Sequence, residues 1–115
     1  FQMNLQELGT IFQSRVPVKI ILLNNSFLGM VRQWQELFFD KRYSFTEMTN
    51  PDFGAIAQGN GIAYRCVEKR DELETAIHAM KEHPGAFLLE LRVEPEENVF
   101  PMVPAGAAVG DVRLE

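Results

Sequence analysis

A chain of 115 residues has room for one modest hydrophobic core, and 46% hydrophobic with 23% charged residues is the composition of a folded domain. Sixteen Asp and Glu against eleven Lys and Arg give a formal charge of −5, which argues against nucleic acid or an anionic membrane as partner, since both need clustered positive charge. The single cysteine, Cys66, has neither a disulfide partner nor a CxxC metal motif, and no apolar run approaches the roughly 20 residues that cross a bilayer.

The chain opens on Phe1 and moves straight into an amphipathic pattern without a signal peptide, which fits a reducing, aqueous compartment and reads as an excerpt of a longer protein. Asn4 with Glu7 has the spacing of a helix N-cap and its reciprocal partner. Phe1, Leu5, Leu8 and Phe12 follow at helical spacing, and Arg15 and Pro17 close the segment. Val18 to Leu23, apolar apart from Lys19, predicts a strand buried on both faces of a parallel sheet. After Asn24, Asn25 and Ser26, the residues Phe27, Val31, Trp34 and Phe38 share one helical face.

Asn50-Pro51 predicts a cap and first helical residue for a short helix carrying Phe53, Ile56 and Ala57, which stops near Gly59 and Gly61. Ile62 to Val67 predicts a second strand, in which Cys66 reads as a small buried hydrophobe. Asp71 and Glu74 resemble a capping pair for a helix with Leu73, Ala76, Ile77 and Met80 inward, and His78 and His83 fall on its surface side. Pro84-Gly85 turns the chain into a third strand, Ala86 to Val93. Beyond Glu94 the sequence is rich in Pro, Gly and Ala without periodicity, as expected of an extended arm lying over a neighbouring surface. Strands alternating with helices predict an α/β fold: a parallel sheet with flanking helices. An opening helix also implies an earlier strand before Phe1.

In such sheets ligands bind beyond the carboxyl ends of the strands. Asn24-Asn25-Ser26 holds that position: an amide oxygen and a following main-chain carbonyl suit a hard cation, and the amides around Leu28 to Met30 suit a phosphate. From spacing alone, the same three residues also read as a turn and N-cap, and the apolar stripe on the next helix as core.

The segment LLNNSFLGMVRQWQ resembles the stretch that follows the thiamine diphosphate motif of acetohydroxyacid synthases (acetolactate synthases), and FQMNLQEL resembles the segment just downstream of that motif's Gly-Asp-Gly-like triplet. With 23 residues preceding Asn24, the triplet is expected just before Phe1. RYSFTEMTNPDF, GIAYRCVEKRDEL and VFPMVPAGAAV extend the resemblance over essentially the whole chain. The Asn pair alone indicates only the wider thiamine diphosphate superfamily, whereas GMVRQWQ with RYS and NPDF points to the acetolactate-forming branch.

The resemblance implies that residues 1–94 are the C-terminal part of a thiamine diphosphate and Mg2+-binding α/β domain, with 95–115 the arm. It implies Asn25 as side-chain Mg2+ ligand and Phe27 as main-chain ligand, with Leu28, Gly29 and Met30 against the cofactor. Met30, Val31, Trp34 and Phe38 would line the way for the second 2-ketoacid. The implied reaction joins decarboxylated pyruvate to pyruvate or 2-ketobutyrate in branched-chain amino-acid biosynthesis. The family's activating glutamate acts from another domain across a subunit interface, and its FAD also occupies a separate domain. No catalytic nucleophile or base is expected here, so the piece alone should be inactive and bind the cofactor weakly. A homo-oligomer of the intact subunit in the cytoplasm, or in an organellar stroma or matrix, is expected; a regulatory small subunit stays open. Competing readings are a related carboligase or decarboxylase, and a non-catalytic α/β interaction module.

Overall fold

The computed structural model describes residues 1–114. Three parallel strands, β1 (Lys19–Asn24), β2 (Ala63–Val67) and β3 (Phe87–Arg92), form a sheet in the order β1-β3-β2. The helices are α1 (Glu7–Ser14), α2 (Gly29–Phe38), α3 (Phe53–Gly59) and α4 (Leu73–Glu82). This is the expected α/β architecture. The chain falls into two compact units, one of Phe1–Asn25 with Thr49–Val93, the other of Ser26–Met48 with Glu94–Glu115.

The first unit is organised on β3, whose first four residues are all buried. Its register sets Phe87 opposite Lys19 and Ala63, and Leu91 opposite Leu23 and Val67. Because side chains alternate along a strand, Leu88 and Leu89 serve opposite faces. Leu88 joins Leu8, Phe53, Ala57 and Ile62 beneath α1 and α3, whereas Leu89 and Phe87 join Val67, Ala76 and Met80 beneath α4. Neither leucine retains any exposure, and each burial contributes about 1.5–3 kcal/mol. Lys19, the one charge in the β1 run, donates through Nζ to the carbonyls of His83 and Gly85, in the turn that leads into β3.

Several local expectations are corrected. β1 is buried on one face only: Ile20 and Leu22 pack in the α1/α3 core, but Ile21 and Leu23 are 51% and 64% exposed. The reason is its place at the edge, since α4 lies over β2 and β3. Asn4 does not cap α1. It lies in a 3-10 turn, Gln2–Asn4, and Gln6 ahead of the helix is already helical, so no extended residue is present to cap from. Asp52, not Asn50, caps α3; its carboxylate accepts from the Ala55 amide at 2.9 Å. The Asn50 side chain is engaged elsewhere, with Asn24 and Gln2. Asp71 falls in a second 3-10 turn, and Glu72 at the N-cap of α4 makes no side-chain cap bond.

The second unit is held by polar bonds. Phe27 pairs antiparallel with Glu47, flanked by bonds from the Leu28 amide to Thr46 and from the Met48 amide to Ser26. The Gln33 amide clamps the backbone of Val99 from both sides, with its oxygen 2.9 Å from the Val99 amide and its nitrogen 3.0 Å from the Val99 carbonyl.

Two glycines make opposite demands. Gly61, at φ +66°, ends α3 in the left-handed conformation, and a Cβ there would collide with the Phe12 ring. Gly9 sits within α1 with open space around it. Gly61→Ala should therefore lower stability by about 1–3 kcal/mol, and Gly9→Ala should raise it by about 0.4–1 kcal/mol. Urea denaturation of the two variants checks both signs.

Candidate functional site

The carboxyl end of the sheet carries a connected set of polar side chains, all within the first unit. Asn24, at the end of β1, is 5% exposed, and Glu90 on β3 is 1% exposed. Asn24 Nδ2 donates to Glu90 Oε1 at 2.7 Å, and its Oδ1 accepts from Asn50 Nδ2 at 2.8 Å. Asn50 Oδ1 accepts in turn from Gln2 Nε2 at 2.7 Å. The Tyr64 hydroxyl donates to Glu90 Oε2 at 2.5 Å, and Arg92 Nε lies 3.2 Å from Oε1. Burial and the bond to Glu90 together hold the Tyr64 proton well above the ordinary phenol range. Asn25, the next residue after Asn24, is half-buried. It lies just beyond the end of β1.

The following turn opens the second unit. Ser26 takes φ +57°, and its carbonyl accepts from Met48. The Leu28 amide, one of those expected to face a phosphate, instead donates to Thr46 at 2.8 Å. Helix geometry leaves the amides of Gly29 and Met30 without an intrahelical acceptor, and the first turn has neither a side-chain cap nor an acidic residue. The positive end of the α2 dipole thus meets no acidic side chain from the helix's own first turn. Leu28 is 45% exposed, so what it can offer a ligand is its side chain.

Further along α2 the usual amphipathic arrangement is inverted. Val31, Trp34 and Phe38 are exposed, as is Met30, whereas the buried residues are Arg32 and Gln33. The apolar stripe is thus not core. Arg32 is enclosed by the rings of Phe27 and Tyr43, 5.5 and 4.7 Å from its guanidinium carbon, and pairs with Glu36 at 3.2 Å. Val31 and Trp34 line a shallow groove of about 410 Å³ together with Gln35, Phe39 and Arg42. Phe38 instead packs edge-on against Trp34, with the Arg113 guanidinium over its ring, 5.8 Å from the centroid. Met30 and Phe38 are not among the groove's lining residues.

Phe39 and Arg42 of the groove, and Glu90, Tyr64 and Asn50 of the strand-end set, escaped sequence reasoning. For Glu90 a signal existed: it is the one charge inside the apolar run Phe87 to Leu91. His78 is exposed, and His83 is half-buried with its Nδ1 accepting from the Gly85 amide. Among the described residues, no cluster of three or more His, Cys, Asp or Glu could hold a metal, and no helix is long and apolar enough to cross a membrane.

A parallel α/β sheet with an amide-bearing residue just beyond a strand end is the setting in which open α/β folds bind ligands. The family model described as "Thiamine pyrophosphate enzyme, C-terminal TPP binding domain" matches residues 1–91, and the chain belongs to that family. It is 48% identical over 109 residues to the acetolactate synthase isozyme 2 large subunit of Escherichia coli (strain K12), covering 94% of this chain and 20% of that protein. The mitochondrial acetolactate synthase of Schizosaccharomyces pombe is 44% identical, covering 95% of this chain and 16% of its own length. For the chloroplastic acetolactate synthase 2 of Zea mays the identity is 42%, with 100% of this chain and 19% of that protein covered. The chain thus spans a fifth or less of the length of these relatives. A Rhodococcus jostii RHA1 thiamine diphosphate-dependent 4-hydroxybenzoylformate decarboxylase shares the fold, with a TM-score of 0.73 at 24% identity, covering 81% of this chain and 18% of that one.

The Tyr64 phenol gives an alkaline signature. Unfolded, it ionises near its ordinary value of about 10; folded, it keeps its proton to higher pH, so its contribution is complete below about pH 10 and is lost as pH rises beyond. Urea midpoints measured from pH 8 to 11 should fall at the alkaline end, and Tyr64→Phe should flatten that fall.

Proposed function

We propose that this chain is the C-terminal part of the thiamine diphosphate-binding domain of an acetolactate synthase catalytic subunit, with residues 1–94 in the domain and 95–115 as an arm over a neighbouring surface. The intact enzyme would condense pyruvate, after decarboxylation, with a second pyruvate or with 2-ketobutyrate, toward the branched-chain amino acids. One observation carries this reading: identities of 42% to 48% run over at least 94% of the chain to proteins named acetolactate synthase in a bacterium, a fungus and a plant.

The residues fit magnesium and a diphosphate in kind. Asn25 Oδ1 and the Phe27 carbonyl are hard oxygen donors, and residues two apart lie within about 7 Å along the chain, so connectivity alone keeps both within reach of one ion. Magnesium is usually held by one or two protein groups with phosphate oxygens and water completing its shell, so two such donors suffice in number. The amides of Gly29 and Met30 would meet the diphosphate charge at the uncapped end of α2, with the Leu28 side chain beside it. Thiamine diphosphate, when bound, supplies the electron sink for decarboxylation and carbon–carbon bond formation.

The chain's own residues bind and shape rather than transfer protons. Met30, Val31, Trp34 and Phe38 would present an apolar surface to the acceptor ketoacid, with the indole of Trp34 against the extra methylene of 2-ketobutyrate. FAD would belong to a separate domain. A homo-oligomer, dimer or tetramer, would complete the site, in the cytoplasm or in an organellar stroma or matrix.

The test uses the intact protein that contains this sequence, supplied with pyruvate, Mg2+ and thiamine diphosphate. Acetolactate should form, and a product without a new carbon–carbon bond would overturn the reading. Trp34→Ala should lower the preference for 2-ketobutyrate over pyruvate about tenfold, the usual worth of one methylene in an apolar pocket. An unchanged product ratio would reduce Trp34 to a packing partner of Phe38.

A further inference from the structure

We propose that Glu90 is a positioning residue: its buried carboxylate fixes the amide of Asn24 and thereby the direction in which Asn25 leaves β1. The inference rests on the reading of Asn25 as a magnesium ligand. A carboxylate with 1% exposure on a central strand is costly unless both oxygens are hydrogen-bonded, and a hydrocarbon would pack there at lower cost. Here it is matched by the Asn24 amide, the Tyr64 hydroxyl and Arg92. Arg92 faces Asn24 directly in the β1–β3 register, so the charge is placed at the strand end rather than in the apolar middle of the sheet.

An Asn amide has a donor end and an acceptor end of almost equal size, so its neighbours decide which way it points. An ionised carboxylate accepts only, and therefore compels Asn24 to turn its nitrogen toward Glu90 and its oxygen toward Asn50. The order propagates: Asn50, having donated to Asn24, accepts from Gln2. The main chain is fixed at the same point, because the Asn24 carbonyl accepts from the Val93 amide at 3.1 Å. With side chain and carbonyl both held, Asn24 has little freedom left, and Asn25 departs from a rigid residue. Glu90→Gln changes almost no volume, but it supplies an amide that can donate to Asn24 Oδ1 and so removes the compulsion.

Calorimetric titration of Mg2+ into the intact protein at saturating thiamine diphosphate reads this directly. Glu90→Gln should weaken Mg2+ about tenfold or more, the usual effect of losing a group that orients a metal ligand. Glu90→Asp should recover most of that loss, and KM for pyruvate should stay unchanged. Loss of thermal stability with wild-type Mg2+ affinity would make Glu90 merely structural and overturn the proposal. Asn25→Ala separates the two levels: if it weakens Mg2+ while Glu90→Gln does not, the ligand reading stands and the positioning role fails. If neither weakens it, both fail. Should Glu90→Gln not fold, Asn24→Ala decides, since it removes the amide through which Glu90 acts. About tenfold weaker Mg2+ supports the proposal, and unchanged affinity overturns it.

Discussion

The burial of β3 between two helical layers is the constraint on which the rest of the first unit depends. Because Leu88 and Leu89 face opposite layers with no exposure, the strand can neither slide nor rotate by one residue without turning one core inside out. That fixed register brings Arg92 beside Asn24 and sets Cys66 opposite Glu90. The polar end of the sheet is thus a consequence of its apolar middle. Cys66 itself is half-buried, a neighbour to this polar group rather than the buried hydrophobe its apolar run suggests.

The second unit reaches order by a different route. Its helix buries Arg32 and Gln33 and leaves Val31, Trp34 and Phe38 facing outward. Polar side chains are suited to this because they reach partners in the irregular tail: Val99 for Gln33, Glu96 for Arg32, and Asn98 for Glu36, which also pairs with Arg32 within the helix. Such bonds specify one docking of an irregular tail more sharply than apolar contact would, since each has a required direction. The apolar face is then released for contact with a ligand or another surface.

The sheet was legible from the sequence because apolar runs bounded by Pro, Gly and Asn define strands with little competition. The expected Val18–Leu23 and Ala86–Val93 differ from the observed Lys19–Asn24 and Phe87–Arg92 by one residue at each end. Caps were read less well. Asn4 and Asn50 are good capping residues by type, but one lies in a preformed 3-10 turn and the other bonds to Asn24 across the fold. The Asn24-Asn25-Ser26 turn was visible as a strand end. The set around Glu90 was not, because it depends on a side-chain bond between residues 66 apart and on a register that local patterns do not encode.

The edge position of β1 has a consequence for handling the chain by itself. Ile21 and Leu23 project from a strand that, among the described residues, pairs on one side only, with β3. A branched aliphatic surface beside open backbone donors and acceptors is the template on which chains recruit one another into intermolecular sheets. Solubility of this segment in isolation is therefore set by how that margin is shielded. A single lysine at Ile21 would act there as a gatekeeper, discouraging self-association while leaving the buried cores untouched.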